Sequence, residues 1–116
     1  MESQFLYLTT IGWRTGKSHR IEIWYVTHNE KYYMMSERGI NAHWVRNINH
    51  NPRISFSINN SNYEGEGRII DSTKESQLAA QVSEIMNAKY HWDQGLIVEL
   101  IHHDLLFYEK LDNYDT

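Results

Sequence analysis

The chain has 116 residues, enough for one domain with its own core, read here as a single unit over 1–116 with the ordered part at about 4–110. It has no cysteine, which excludes a disulfide framework, a cysteine-held metal and a thiol nucleophile. A net charge of −4 makes it a poor general ligand for nucleic acid, and no apolar run approaches the roughly 20 residues that cross a bilayer.

Residues 5–10 alternate aromatic and aliphatic positions and predict a strand. Residues 12–20 break that pattern. Residues 21–27 are β-branched and aromatic, with Ile21, Ile23 and Tyr25 on one face and Trp24 and Val26 on the other. His28-Asn29-Glu30 reads as a turn and 31–36 as the next strand, so 21–36 predicts a hairpin. The period then changes. Ile40, Trp44, Val45 and Ile48 fall at helical spacing, and Asn51-Pro52 ends that helix because the residue before proline is pushed out of the α region.

Residues 53–58 alternate strictly, with Ile54, Phe56 and Ile58 on one face. A polar turn at 59–62 leads to a strand at 63–70, whose interior Gly65 and Gly67 signal a bulge or a close backbone approach. Ser72 followed by Glu75 matches a capping box, with Leu78, Val82, Ile85 and Met86 as the apolar stripe of the helix behind it. Residues 96–102 and 105–109 read as strands, and 112–116 as a frayed acidic tail. The pattern is mainly β with two inserted helices. It predicts a closed or partly closed antiparallel barrel and not a parallel α/β sheet.

The most informative stretch is residues 12–20. It places Arg14, Lys17 and Arg20 within seven residues, with hydroxyls at Thr10, Thr15 and Ser18 and glycines at 12 and 16. Glycine lets backbone N–H groups turn toward an anion, arginine offers a fork of donors to phosphate oxygens, and lysine offers a point charge. The glycine spacing is not that of a nucleotide-hydrolase phosphate loop, and the segment leads into a strand instead of a helix. From the residues alone two readings stand, an anion site and a solvated basic turn. The charge distribution bears on the choice. Residues 1–53 carry seven Lys/Arg against four Asp/Glu, whereas 54–116 carry four against eleven.

The run Leu8-Thr9-Thr10-Ile11-Gly12-Trp13-Arg14-Thr15-Gly16-Lys17, then Arg20 and Trp24-Tyr25-Val26, resembles the deazaflavin-dependent nitroreductase family of the split-barrel, pyridoxamine-phosphate-oxidase-like flavin-binding group. Tyr33-Met34-Met35-Ser36-Glu37-Arg38-Gly39, His43-Trp44 with Asn47, and Asn51-Pro52-Arg53-Ile54 extend the similarity across residues 5–70. The resemblance implies an FMN-binding-like antiparallel split β-barrel, commonly a homodimer. It also implies hydride transfer from a reduced deazaflavin (coenzyme F-420), with FMN as the alternative, to a quinone, nitro compound or similar small electrophile.

By position, Arg14, Thr15, Gly16, Lys17 and Arg20 would hold cofactor phosphate. Tyr25, Met34, Met35 and Ser36 would line the ring pocket, Trp44 would pack beside it, and Arg38 would add a cation. Tyr25 and Ser36 are the catalytic candidates, Tyr25 as a phenol that orients a carbonyl or donates a proton, or as barrel packing. The chain departs from the family in Ser18-His19 where proline is common, and in a short, glycine-poor segment before Trp44 without the proline that follows the family's histidine. A non-catalytic flavin or tetrapyrrole binder is the competing class, and a structural homodimer a third.

No metal is expected. His102 and His103 are adjacent on a strand and face opposite ways, and His43 and His50 lack a carboxylate at helical ligand spacing. Met1-Glu2-Ser3-Gln4 has no basic opening of a secretory signal, so the expected location is the cytoplasm, with no membrane insertion and no nucleic-acid partner.

Overall fold

The computed structural model describes residues 2–104; the strand expected at 105–109 and the tail at 112–116 lie outside the described residues. Seven strands and two α-helices follow in the order β1 (Phe5–Ile11), β2 (Ser18–Trp24), β3 (Val26–His28), β4 (Lys31–Ser36), α1 (His43–His50), β5 (Arg53–Ile58), β6 (Ser61–Ile69), α2 (Ser76–Tyr90) and β7 (Leu96–His102). The strands form one sheet in the order β2-β1-β5-β6-β7-β4-β3, and every neighbouring pair is antiparallel.

The two edge strands, β2 and β3, are consecutive in sequence and separated only by Tyr25. That link forces the ends of the sheet together, so the sheet curls into a split barrel. The single strand expected over 21–27 is therefore a corner. The Tyr25 N–H donates to the Tyr90 hydroxyl (3.0 Å), and the Tyr25 carbonyl accepts from that hydroxyl (2.7 Å) and from Lys89 Nζ (2.9 Å). With both backbone groups held by α2, Tyr25 leaves the ladder. The hairpin shrinks to β3–β4, turning at Asn29 and Glu30, both at positive φ.

Two apolar clusters hold the fold. One fills the barrel interior with Leu6, Leu8, Met34, Val45, Ile48, Ile54, Phe56, Val98 and Leu100; the other packs Val26, Tyr33, Met35, Ile70, Val82, Met86 and Ile97 beneath α2. Strands β4 and β7 serve both clusters. They are buried on both faces, which is why they read as apolar runs and do not alternate. Gly65 and Gly67 mark close approaches, as expected. A Cβ on Gly65 would sit 1.9 Å from the Ile101 carbonyl oxygen, and one on Gly67 would sit 3.0 Å from the Ile48 side chain on α1.

Two further expectations are corrected. Ile40 lies on a 3-10 turn (Gly39–Asn41) ahead of α1 and is exposed, so the inward face of α1 is Val45, Asn47 and Ile48. The Ser72–Glu75 capping box does not form, because α2 begins at Ser76 and Glu75 is its N-cap without a side-chain cap bond. Glu75 instead accepts two bonds from Arg68 (2.7 and 3.0 Å), and these charge-assisted bonds outweigh a neutral cap. Asp71 Oδ1 shapes the preceding turn by accepting from the Thr73 N–H (3.0 Å) and hydroxyl (2.6 Å). Arg68 also holds the fully buried Glu99, which accepts from the Tyr33 hydroxyl at 2.7 Å. Burial and this bond to Glu99 both raise the Tyr33 phenol above its ordinary range.

Candidate functional site

Residues 12–17 form the tip of the β1–β2 hairpin, and the backbone closes it. The Gly12 N–H donates to the Lys17 carbonyl (2.7 Å) and the Gly16 N–H to the Gly12 carbonyl (2.9 Å). Gly16 has φ +72, a left-handed conformation that favours glycine. Gly12 is needed for space, since a Cβ there would lie 2.7 Å from His19 Nε2 and 2.8 Å from Thr15 Oγ1.

Asn47 ties this loop to α1. It is 4 % exposed; its Oδ1 accepts from the Trp13 N–H (3.0 Å) and its Nδ2 donates to Thr10 Oγ1 (2.9 Å). Between the loop and α1 lies a cleft of about 520 Å³. Its charged and titratable lining is Arg14, Arg20, Arg46, His19 and His43, completed by Thr10, Thr15, Trp13 and Trp44. Among the described residues no carboxylate lines it. Among the described residues none of the three arginines is ion-paired. The guanidiniums rest on rings and backbone instead. Arg14 lies 4.4 Å over Trp13, Arg46 stands 6.0 Å from the same ring and donates from Nε to the Ile40 carbonyl (3.2 Å), and Arg20 lies 4.4 Å over Tyr7. Aromatic support orients a guanidinium without using up its positive charge.

A second cleft of about 370 Å³ adjoins the first by sharing His43 and Trp44, and adds Met35, Ser36, Glu37, Arg38 and Ala42. Ser36 is buried there and donates its hydroxyl to the Gly39 carbonyl (3.0 Å).

The anticipated residues thus divide. Arg14, Thr15, Arg20 and Trp44 meet in the first cleft; Met35, Ser36, Arg38 and Trp44 meet in the second. Gly16 and Lys17 shape the loop tip but line neither cleft. Met34 points into the barrel interior because β4 alternates around Met35, and Tyr25, 2 % exposed, packs there too. Of the two roles weighed for Tyr25, packing is where the geometry puts it. Burial, with the charge of Glu2 nearby, pushes its phenol up to about 12. Arg46 and Asn47 were not anticipated as site residues. The available signal was their helical spacing from His43, which puts all three near the same face of α1.

Cations without carboxylate partners, hydroxyls at the rim and an adjoining cleft with an indole wall form a donor set that fits an anionic tail bearing a planar ring. Among the described residues no three His, Asp or Glu side chains gather as metal ligands, and no helix is long and apolar enough to cross a membrane.

Comparisons with known proteins extend these observations. A family model described as F420H(2)-dependent quinone reductase matches residues 1–97. A search of curated protein sequences finds no match. Among solved structures, the conserved hypothetical protein Rv2991 of Mycobacterium tuberculosis superposes with a TM-score of 0.72 at 17% identity, covering 87% of this chain and 74% of that one. An F420-H2 dependent reductase (FDR-A) gives 0.61 at 19% identity, covering 87% and 96%. The heme storage protein HutZ of Vibrio cholerae gives 0.60 at 18% identity, covering 86% and 82%. At these identities the structures share the fold.

Proposed function

The chain belongs to the F420H(2)-dependent quinone reductase family, and from that premise we propose that it is a reductase in which the basic cleft holds the phosphate-bearing tail of a reduced deazaflavin. The observation that carries this reading is the set Arg14, Arg20 and Arg46, gathered on one cleft with no carboxylate among its described lining residues. In a chain of net charge −4 such a set favours a bound anion. The ring would lie toward Trp44 and the second cleft, where Met35, Ser36 and Arg38 stand.

The cofactor supplies the chemistry. A reduced deazaflavin gives up a hydride, and a quinone that takes it with one proton from solvent becomes a hydroquinone. The protein's part is to bind, orient and shield. Arg38 beside the ring would stabilise negative charge there. We infer deazaflavin in preference to FMN from the family, a cytoplasmic setting, and a second copy of the chain as partner. Exposed Tyr7 and Ile40 are apolar surface that such a copy would cover.

The test is an absorbance titration of the protein with deazaflavin and with FMN, followed by turnover with a quinone. Arg20→Ala and Arg46→Ala should each weaken deazaflavin binding by about tenfold or more, the scale of one charge-assisted contact. Lys17→Ala should change it less than about threefold, since Lys17 is off the cleft lining. Equal loss in all three variants, or no deazaflavin binding by the wild type, would overturn the assignment. Tight cofactor or haem binding without quinone turnover would make the chain a binding protein instead.

A further inference from the structure

A third cleft, of about 510 Å³, opens on the far side of Met35 and Glu37, which it shares with the second cleft. Its walls are aromatic. Trp24 is 45 % exposed, stacks on Tyr90 at 4.5 Å with the rings 4° from parallel, and meets Trp92 edge-on at 6.2 Å. The stack fixes the Trp24 ring from behind and leaves its other surface to the cleft. So large an indole left open beside a second one is unusual for a surface residue whose neighbours could cover it. Among the described residues the charged lining consists of Glu22 and Glu37, and no cation lines the cleft. Among the described residues neither carboxylate is ion-paired.

The three clefts therefore form a tract, with Arg14, Arg20 and Arg46 at one end, Trp44, Arg38, Met35 and Glu37 along the middle, and Glu22 with the same Glu37 at the aromatic end. We infer that the aromatic cleft is the entry and binding site for the electron acceptor, and that Glu22 and Glu37 restrict it to planar aromatic acceptors without negative charge, cationic ones most of all. The inference rests on the reductase reading above and names its substrate class. Two indole walls at a steep angle offer stacking to a flat ring and a π-surface to a cation. The carboxylates add attraction for positive charge and repulsion for negative. The same pair keeps the anionic cofactor tail from binding in reverse, so tail and acceptor sort to opposite ends of the tract.

The experiment is equilibrium binding read by tryptophan quenching in a Trp13→Phe/Trp44→Phe variant, in which Trp24 and Trp92 are the remaining indoles. The probes are a neutral 1,4-naphthoquinone, the same ring carrying a sulfonate, and the same ring carrying a trimethylammonium group. The trimethylammonium form should bind tightest and the sulfonate about tenfold or more weaker than it. Glu22→Gln/Glu37→Gln should bring the three within about threefold of one another, and so should added salt, because both carboxylates are exposed and screened. Equal affinity of the three probes, or an unchanged order in the double variant, overturns the inference. Wild-type protein titrated with deazaflavin separates the two proposals. Failure there overturns the reductase reading, while the charge order in cofactor-free protein still decides this one.

Discussion

Replacing Asn47 with leucine tests whether the hairpin loop is positioned by α1. Leucine has the same branched heavy-atom skeleton as asparagine, with bulkier methyl ends, so the side chain still fills the site while two hydrogen bonds are lost, the Trp13 N–H to Oδ1 at 3.0 Å and Nδ2 to Thr10 Oγ1 at 2.9 Å. Each neutral bond contributes about 1 kcal/mol. The Trp13 N–H is at a half-buried residue and can turn to water, but the Thr10 side chain is fully buried, and leaving its hydroxyl unpaired adds about 1 kcal/mol or more. The expected loss is about 3 kcal/mol, which a domain stable by roughly 5–15 kcal/mol survives.

Asn47→Asp is the informative partner. It still accepts from Trp13, and Thr10 can reverse its bond and donate, so stability should fall less. It also sets a carboxylate among Arg14, Arg20 and Arg46, so affinity for an anionic cofactor should fall more. Urea unfolding followed by tryptophan fluorescence gives the first ranking, and deazaflavin titration gives the second. Opposite rankings of the two variants in the two assays support the clamp. The same ranking in both, or full stability in Asn47→Leu, refutes it.

Gly65→Ala should cost about 3 kcal/mol and lower the melting temperature well below that of Gly67→Ala, since the new Cβ of the first meets β7 backbone and that of the second meets only the yielding Ile48 side chain. Glu30→Gly should raise the unfolding free energy by about 0.5–1 kcal/mol, read as a higher denaturation midpoint, because Glu30 holds φ +66 in a two-residue hairpin turn that favours Asn-Gly. The Arg68 guanidinium holds the Glu75 carboxyl below its ordinary 4.5. A depressed carboxyl contributes stability above its unfolded value and loses it as pH falls through the lower folded value. Acid titration of unfolding free energy should therefore show a slope below about pH 4.5 that Glu75→Gln flattens; an equal slope in both proteins would remove the Arg68–Glu75 pair from the acid response.

What was legible in the sequence follows from what is local. Alternation placed β1 and β5, an apolar run placed β7, glycines marked the crowded strand β6, and the step to helical period located α1 before Asn51-Pro52. The basic loop announced Arg14, Thr15 and Arg20. What escaped depends on long-range partners. The break at Tyr25 is set by Tyr90 and Lys89, 65 and 64 residues away, and no local signal exists for it. The failed capping box at Ser72 is set by Arg68, whose guanidinium takes Glu75. Lys17 and Arg20 looked equivalent in the loop, but the hairpin register pairs Arg20 with Thr9 inside β2 while Lys17 stays at the tip. Arg46 and Asn47 join the cleft only because α1 packs across the loop.

The placement of charge follows from the same topology. The carboxylates of the acidic half include Glu75 and Glu99, both taken up by Arg68, while Lys89 is taken up by Glu2 at the opposite end of the chain. Arg68 and Lys89, two cations from beyond residue 53, are thus taken up by carboxylates. The arginines of the first 53 residues that reach the cleft come from the β1–β2 hairpin and from α1, and neither element brings an acid into it. A solvated turn would scatter such cations into water. Here two of them converge on one indole from two separate elements, Arg14 from the loop at 4.4 Å and Arg46 from the helix at 6.0 Å, with Asn47 bonding the elements together between them. Holding like charges close together costs free energy, which ring stacking offsets in part and a bound polyanion would offset further. Anion binding should accordingly raise the melting temperature of the wild type more than that of Arg46→Ala; equal rises with inorganic phosphate and with deazaflavin in both proteins would return the loop to the status of a solvated turn.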